Sequence, residues 1–408
     1  MNLPLNLANF TSIKNKNIYL IFFLPVSLLL GSTIINLNIL LIISFFLIDC
    51  YKSKNFYFLK EKNFYFLIVF NLYLILNSLI TNIDTDSLIR AIGFLRFLVL
   101  AYAIHYYLSI NNNEYEKVIF KVWAFIFIIV TIDLIFEHIF GYNTLKFKSP
   151  YYGRLAGFTG DELKIGGYYF AFILSSTIFF KKINIKTYYV FFLIFLVTSL
   201  LIGERANFIK VSFISIIFFL LTSNISMHKK IISTCVLVVL TSFFIYSNDI
   251  LKNKFIDSTI NLFTIEFSPK KSKHICHYNT AIKIFKNNPI IGIGLKKYRL
   301  ESWKDKYAHP IDDEKWYACG STHPHQIHFE ILSELGIIGY FLFISYFIFF
   351  LFKCFKKFRK NNNEYAFGAT LFIFASILPL IPSGSAFTTY TATLFWINYS
   401  IALKNLNK

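Results

Sequence analysis

Long apolar runs alternate with short polar runs along most of the chain. The apolar runs are about 16 to 22 residues long, the length that a helix needs to cross the hydrocarbon core of a bilayer. Hydrophobic residues make up 56% of the 408 residues, so the pattern predicts an all-α polytopic membrane protein with about twelve transmembrane helices. The predicted spans are 18–31, 33–49, 63–81, 88–109, 118–140, 166–180, 187–203, 207–223, 231–247, 327–352, 365–381 and 385–403.

The distribution of Lys and Arg predicts the sidedness of these spans, since positively charged short loops collect in the cytoplasm. The charged short loops are 52–62, 181–186, 229–230 and 353–360, and each follows an even-numbered span. Loops 81–87 and 382–385, which follow odd-numbered spans, carry no Lys or Arg. Both termini are therefore expected in the cytoplasm, and the two longest connections, 141–165 and 248–326, are expected outside.

The spans and connections divide the chain into four segments. They are an N-terminal transmembrane bundle of spans one to five (1–140), central spans six to nine with arginine-bearing external turns (141–247), a long external loop (248–326) and C-terminal spans ten to twelve (327–408). Within the loop, apolar residues recur at helical spacing over 273–288, which predicts an amphipathic helix that Pro289 ends. Its apolar positions are Tyr278, Ala281, Ile282 and Phe285. Such a helix could lie on the membrane as a lid or could pack on the bundle.

The positions of the charges and cysteines bear on the class of ligand and on disulfide pairing. The net charge of +19 does not favour nucleic-acid binding, because the Lys and Arg residues lie between spans rather than on one face. Cys50 and Cys354 fall at cytoplasmic ends and Cys235 falls within a span. Cys276 and Cys319 are left as the pair on the oxidising side, so a disulfide between them is expected, with two unpaired thiols as the alternative.

Most candidate chemical groups also fall on external segments. They are Arg154, Asp161, Glu162, Lys164, Glu204, Arg205, His274, His277, Arg299, His323 and His325. Each of these residues also has an ordinary explanation. An Arg at a helix end is commonly an anchor that snorkels to the interface, and an interfacial His is commonly a capping residue. Together, cations and imidazoles at the outer leaflet suit a substrate that carries a lipid diphosphate. A metal site at His323 and His325 is disfavoured, because no Cys, His or Asp spacing completes a ligand set.

The segment from Thr322 to Gln326, followed by 329–339, resembles the histidine motif of the O-antigen ligase and O-antigen polymerase superfamily. In that motif a Pro-His-Asn element opens a helix with a Glu-x-Gly-x-x-Gly pattern, and Gln326 stands here where Asn is usual. Further segments resemble the family in the same order: 154–166, the turn 203–207, and 288–294 with Arg299 after it. One departure is that His274 or His277 stands where many members carry an Arg ahead of the amphipathic helix.

The resemblance implies a metal-independent glycosyltransferase of the bacterial inner membrane whose active site faces the periplasm. It would move a glycan from undecaprenyl diphosphate to an acceptor hydroxyl without a cofactor. The acceptor would be lipid A-core, as in lipopolysaccharide biosynthesis, for a ligase, or another lipid-linked glycan for a polymerase. The closer likeness of the histidine motif favours the ligase.

The same resemblance, with the needs of the reaction, suggests roles for the candidate residues. His325 would be the general base toward the acceptor, and Glu162 would orient His325 or act as base itself. Arg205 and Arg154 would bind the diphosphate, and further substrate contacts are expected from Arg299, His277 and His323. A transporter or flippase of lipid-linked glycans is the alternative from another class, for which Arg90, Arg96 and Asp133 are the obvious candidates for buried charges.

Overall fold

A bundle of helices forms nearly all of the computed structural model, which describes residues 17–81, 85–110, 114–160, 162, 164–260, 273–312, 315–317 and 319–406. The α-helices are α1 (Ile18–Phe22), α2 (Leu24–Leu30), α3 (Ser32–Lys52), α4 (Lys62–Ile80), α5 (Thr85–Ser109), α6 (Glu114–Phe140), α7 (Ile165–Ile183), α8 (Ile185–Leu201), α9 (Arg205–Thr222), α10 (Met227–Ser247), α11 (Asp249–Lys252), α12 (Lys273–Asn287), α13 (Tyr298–Glu301), α14 (Ile327–Asn361), α15 (Glu364–Ser376) and α16 (Thr389–Ala402). Short turns of other helical types lie at Tyr57–Lys60, Gly157–Thr159, Asn253–Asp257, Asp305–Tyr307 and Leu403–Asn405.

Every predicted apolar run contains a helix, because in lipid a backbone satisfies its polar groups only within helices or closed barrels, although 377–381 and 385–388 lie outside the helices. Among the described residues, seven helices are long and apolar enough to cross a bilayer, namely α3, α4, α5, α6, α9, α10 and α14. The protein is therefore a helical membrane protein. The count of twelve and the sidedness stay predictions, since α15 and α16 have only 13 and 14 residues and the first run divides into α1 and α2 at Phe23.

The helices differ greatly in how much of their surface is buried. Helix α16 packs against α5 and α15 and buries 11 of its 14 residues. Beyond it, Lys404 forms a buried ion pair with Glu116, which ties the end of the chain to the start of α6. Helix α10, in contrast, has no buried residue, and the thiol of Cys235 on it is exposed. Helix α10 is therefore peripheral to the bundle.

One element departs from the all-α expectation. Strand β1 (His309–Asp312) pairs antiparallel with β2 (Lys315–Tyr317), and His309 lies opposite Tyr317. Strands of four and three residues are too short for an alternating pattern to reveal them in a polar segment. The segment between α13 and α14 thus contains a hairpin that the sequence did not predict.

Helix α12 occupies the predicted amphipathic segment, but its buried face is rotated from the predicted one. Its buried residues are Cys276, Thr280, Ala281 and Ile284, so only Ala281 is shared with the prediction. The rotation arises because α12 is covered on two sides: Ala281 and Ile284 pack with Tyr298 and Tyr307, while the ring of Tyr278 lies 4.8 Å from that of Phe329. Helix α12 therefore packs on the start of α14.

The start of α14 is set at an angle to the rest of the helix by a break at Gly336, whose φ is 66°. The turn after α12 enters this break, with Gly294 N donating to Glu334 O at 2.8 Å and Ile337 N to Pro289 O at 2.9 Å. Backbone groups that the break frees from the helix are thus satisfied by the turn. This interlock fixes the residues just before Ile327 against α12.

Candidate active site

The turn from His323 to Gln326 is held in place by backbone contacts and a helix cap. Gln326 Oε1 accepts hydrogen bonds from His328 N at 2.7 Å and Phe329 N at 3.2 Å, so Gln326 caps α14 in the way that Asn would. His325 has a φ of 59°, a left-handed conformation that non-glycine residues seldom adopt, and its carbonyl accepts from Ser383 N at 2.8 Å. Such strain persists where the surroundings enforce it and is typical of functional sites.

Four histidines converge on this turn. The ring centroid of His325 lies 4.2 Å from that of His323, 5.3 Å from His277 and 5.6 Å from His274. His274 and His277 reach the turn because Cys276 forms a disulfide with Cys319, with their Cα atoms 5.7 Å apart. In addition, His277 Nδ1 lies 3.1 Å from the Cys319 carbonyl oxygen.

The histidines lie in surroundings that favour the neutral imidazole. Burial, followed by the charges of the neighbouring histidines, lowers the pKa of His325 to about 3. Burial and then the charge of Lys296 lower the pKa of His323 to about 4, and burial also lowers the pKa of His274 and His277. All four imidazoles are therefore neutral near pH 7, and each keeps one ring nitrogen unprotonated, as a general base requires.

The hydrogen-bond partners distinguish His325 from His323. His325 Nε2 lies 3.2 Å from the hydroxyl oxygen of Ser321, so this nitrogen already holds a hydroxyl group. His323 Nδ1 lies 3.0 Å from Thr322 Oγ1, whereas its buried Nε2 has no hydrogen-bond partner among the described residues. His323 also lines a cavity, so its unpaired nitrogen is placed where a ligand could satisfy it.

That cavity has a volume of about 520 Å³ and combines cations with aromatic walls. Its charged lining residues are Arg90, Arg96, Lys164 and Lys210, and its aromatic ones include Phe94, Phe97, Phe170, Phe343, Phe372, Phe387 and Trp396. Arg96 Nη2 donates to Thr389 Oγ1 at 3.3 Å and Lys210 Nζ donates to Pro382 O at 2.8 Å. A cavity of this composition suits a molecule with an anionic group and an apolar chain.

A second group of cations lies at the start of α9. Arg205 Nη1 donates to Thr259 Oγ1 at 3.2 Å. Lys254 Nζ donates to Gly153 O at 2.5 Å, next to Arg154. Burial, followed by the charge of Arg154, lowers the pKa of Lys254 to about 8. Burial, followed by the charges of His277, Arg205 and Arg154, lowers the pKa of His274, so the two arginines lie within electrostatic range of the histidines.

Glu204 is the carboxylate of this group. It accepts a hydrogen bond from Asn207 Nδ2 and lies against Gly166 at the start of α7, and burial raises its pKa. With two arginines, one lysine and one carboxylate, the group is net positive and fits a polyanion. Lys254, in a lysine-rich polar segment, was not predicted because nothing in the sequence sets it apart.

Two predicted site residues form ion pairs with residues other than the histidines. The Glu162 carboxylate pairs with Lys164 and is 61% exposed. Arg299 Nη2 pairs with Asp86 Oδ2 at 3.2 Å, at the start of α5. No contact joins either side chain to His325 among the described residues, and Asp161 lies outside them.

Two carboxylates that the sequence analysis left without a role tie the site together. Glu330 Oε2 accepts from Ala386 N at 2.8 Å, and Glu330 Oε1 accepts from Ser385 Oγ and from Lys296 Nζ. Glu334 accepts from Lys296 N at 2.8 Å and Tyr298 N at 3.2 Å. Both side chains are fully buried and lie four residues apart on one face of a mostly apolar helix start. That spacing was the signal available in the sequence. They position the segments on either side of the histidine turn.

In the part of the chain that the structure describes, no group of three or more His, Cys, Asp and Glu side chains is arranged to hold a metal ion.

Comparison with curated proteins gave no match. Residues 190–344 match a protein-family model described as O-antigen ligase. The matched range includes Arg205, Lys254, the four histidines and the break at Gly336.

Proposed function

The match over residues 190–344 supports an O-antigen ligase-related family for this chain, and from that premise we propose that it is a metal-independent membrane glycosyltransferase. In the proposal it transfers a glycan from undecaprenyl diphosphate to the hydroxyl of lipid A-core, at the periplasmic face of the inner membrane. The observation that carries it is the convergence of four neutral imidazoles on one turn, within electrostatic range of Arg154 and Arg205, with His323 lining an aromatic cavity.

The proposed reaction is a displacement at the first carbon of the glycan. The acceptor oxygen forms a bond to this carbon as its proton moves to His325, and the carbon–oxygen bond to the lipid diphosphate breaks. His325 is assigned as the base because the Ser321 hydroxyl at 3.2 Å marks a position where Nε2 can receive an acceptor hydroxyl. General-base catalysis of this kind contributes about 10²- to 10⁴-fold in rate.

The leaving diphosphate gains negative charge as the bond breaks, and fixed cations stabilise that charge best when they are already in place. Arg205 and Arg154 can each offer a planar fork of N–H donors, and Lys254 adds a third charge. His323 would bind the substrate through its unpaired Nε2. These groups supply the charge that a metal ion would otherwise provide, which supports a metal-independent reaction.

The cavity is assigned to the lipid-linked donor. Asn207 and Lys210, which line it, are on the same helix as Arg205, so the cavity begins close to the proposed diphosphate site. Its phenylalanine walls would contact the first part of the prenyl chain. In this arrangement the acceptor approaches from the side of α12, past His277.

The test is deletion of the gene, complementation with variants, and gel analysis of surface glycolipids. Loss of long glycan on lipid A-core, with lipid-linked polymer accumulating, supports a ligase. Core that bears a single repeat instead indicates the polymerase, and unchanged glycolipids overturn the glycosyltransferase.

The variants of the histidines test the assigned base. His325→Ala should lower transfer by about 10²-fold or more, given the usual contribution of a general base. His228→Ala is the matched control, because His228 is exposed at the start of α10. Full transfer by His325→Ala would show that another group acts as base.

A further inference from the structure

A second cavity, of about 470 Å³, lies at the far end of α14 from the histidines. It is lined by Lys60, Glu61, Lys62, Asn63, Lys353, Lys356, Lys357, Lys360 and Leu406. With a rise of about 1.5 Å per residue, Lys357 lies roughly 32 Å along α14 beyond the break at Gly336. The cavity therefore opens at the opposite face of the bundle from the proposed active site.

Lysines outnumber carboxylates in the lining of this lysine cavity. Six lysines line it with a single carboxylate, Glu61. Among the described residues, Lys60, Lys62, Lys353, Lys356 and Lys360 form no ion pair. Lys357 Nζ donates to the Leu406 carbonyl oxygen at 3.1 Å. Like charges gathered in a concave surface repel one another, so an anion bound there would relieve a cost that the free protein bears.

Membrane topology explains part of this charge but not its arrangement. Positive residues are favoured in cytoplasmic loops and at the C-terminal ends of helices, and both rules apply to the lysines on α14. Neither rule requires that Lys353, Lys356 and Lys360 share one face with spacing of three and four residues. Nor does either rule require Lys60, in the turn before α4, and Lys62, the first residue of α4, to face the same space.

The surroundings indicate where the anion comes from. The ammonium group of Lys353 lies 4.0 Å from the ring centroid of Phe349, and Phe349 and Phe352 are 54% and 65% exposed. Leu59 and Tyr65 are also exposed beside the other wall. Apolar side chains exposed next to a cluster of cations mark the boundary between acyl chains and headgroups.

We propose that the lysine cavity binds a ligand with two closely spaced phosphate groups, supplied by the headgroup of diphosphatidylglycerol in the leaflet at that face. One phosphate would engage Lys353, Lys356 and Lys360, and the other Lys60 and Lys62, while acyl chains run along Phe349 and Phe352. One headgroup with a single phosphate would engage one wall and leave the lysines of the other wall without an anion. The proposal is independent of the glycosyltransferase assignment, because it concerns binding at the other face.

The test measures thermal unfolding of the full-length protein in detergent by tryptophan fluorescence, with three additions at equal phosphate concentration. These are tetraoleoyl diphosphatidylglycerol, dioleoylphosphatidylglycerol and inorganic diphosphate. The first should raise the Tm by about 5 °C, since a ligand that binds only the folded state stabilises it. Dioleoylphosphatidylglycerol should give less than half of that shift. An equal shift with inorganic diphosphate would support the two-phosphate site while assigning it to a soluble anion.

Variants identify the site. Lys353→Gln/Lys356→Gln/Lys360→Gln and, separately, Lys60→Gln/Lys62→Gln should each abolish most of the shift, and both leave the Lys357 contact intact. The matched control is Lys52→Gln/Lys186→Gln/Lys229→Gln, which removes three exposed lysines that do not line the cavity and should keep the full shift. The proposal is overturned if the cavity variants keep the shift, or if the control loses as much of it.

Discussion

Gly292 and Gly336 lie backbone to backbone where the turn after α12 enters the break in α14. Both have a positive φ, 69° and 66°. A Cβ on Gly292 would come within 2.5 Å of the Glu334 carbonyl group and 2.6 Å of Gly336 N, and a Cβ on Gly336 would overlap the Ile290 carbonyl oxygen. The contact joins the two segments that carry the histidines, so it sets their relative position.

Gly336→Ala should therefore lower both stability and transfer. The strained φ and the overlap predict a loss of about 1–3 kcal/mol in the free energy of unfolding, measured with denaturant. Gly167→Ala is the control for stability, because Gly167 is helical and a Cβ there meets side-chain carbons at an ordinary 3.8 Å. If Gly336→Ala were as stable as the wild type, the break would not be a fixed element of the fold.

Removal of the disulfide should destabilise the external segment. Cys276 and Cys319 close a loop of 43 residues, for which chain entropy gives about 4 kcal/mol. Cys276→Ser/Cys319→Ser should therefore unfold at a lower temperature and transfer glycan more slowly. Alkylation of the denatured wild type should count three thiols without reductant and five after reduction. Five thiols before reduction would mean that the two cysteines are unpaired.

Arg205→Lys should lower kcat/KM for the donor by about 10- to 100-fold, since a hydrogen bond between charged groups contributes about 1.5–3 kcal/mol and an ammonium group cannot replace the planar fork. Arg299→Lys makes the same chemical change in an exposed pair with Asp86 and should change the rate by less than about threefold. Initial rates with purified enzyme and lipid-linked donor measure both. Equal losses in the two variants would place Arg299 in the donor site as well.

The value of kcat/KM should fall as the pH rises through about 8. Because the pKa of Lys254 is lowered to about 8, this side chain loses its charge above that pH and the diphosphate is held less firmly. On the acid side His325, with a pKa near 3, and His323, with a pKa near 4, stay neutral, so the profile should be flat down to about pH 5. Lys254→Arg should remove the alkaline fall, because an arginine stays charged. An unchanged fall in that variant would exclude Lys254 as its cause.

The sequence predicted the helices well because lipid leaves the backbone few choices, and apolar length alone then marks each run. The contact between His323 and His325 could also be predicted, since they are two residues apart. His274 and His277 approach His325 because Cys276 and Cys319 lie close in space. The sequence predicted only that these two cysteines are on the same side of the membrane.

The cavity could not be predicted in the same way. Whether a charge within a span faces a cavity depends on how the helix is rotated against its neighbours. Arg96 reaches the cavity, whereas Asp133 accepts hydrogen bonds from the backbone and hydroxyl of Thr144 and only holds a loop. Both residues look alike in the sequence, as charges within apolar runs.

The peripheral position of α10 makes Cys235 a ready point of attachment for a spectroscopic label. Cys50 and Cys354 are buried, and Cys276 and Cys319 are bonded to each other, so Cys235 is the one exposed thiol of the chain's five cysteines. A lipid-soluble thiol reagent should modify the native protein there without any substitution. A fluorophore at that position would report movements of α10, which is followed in the chain by the turn that carries Lys254.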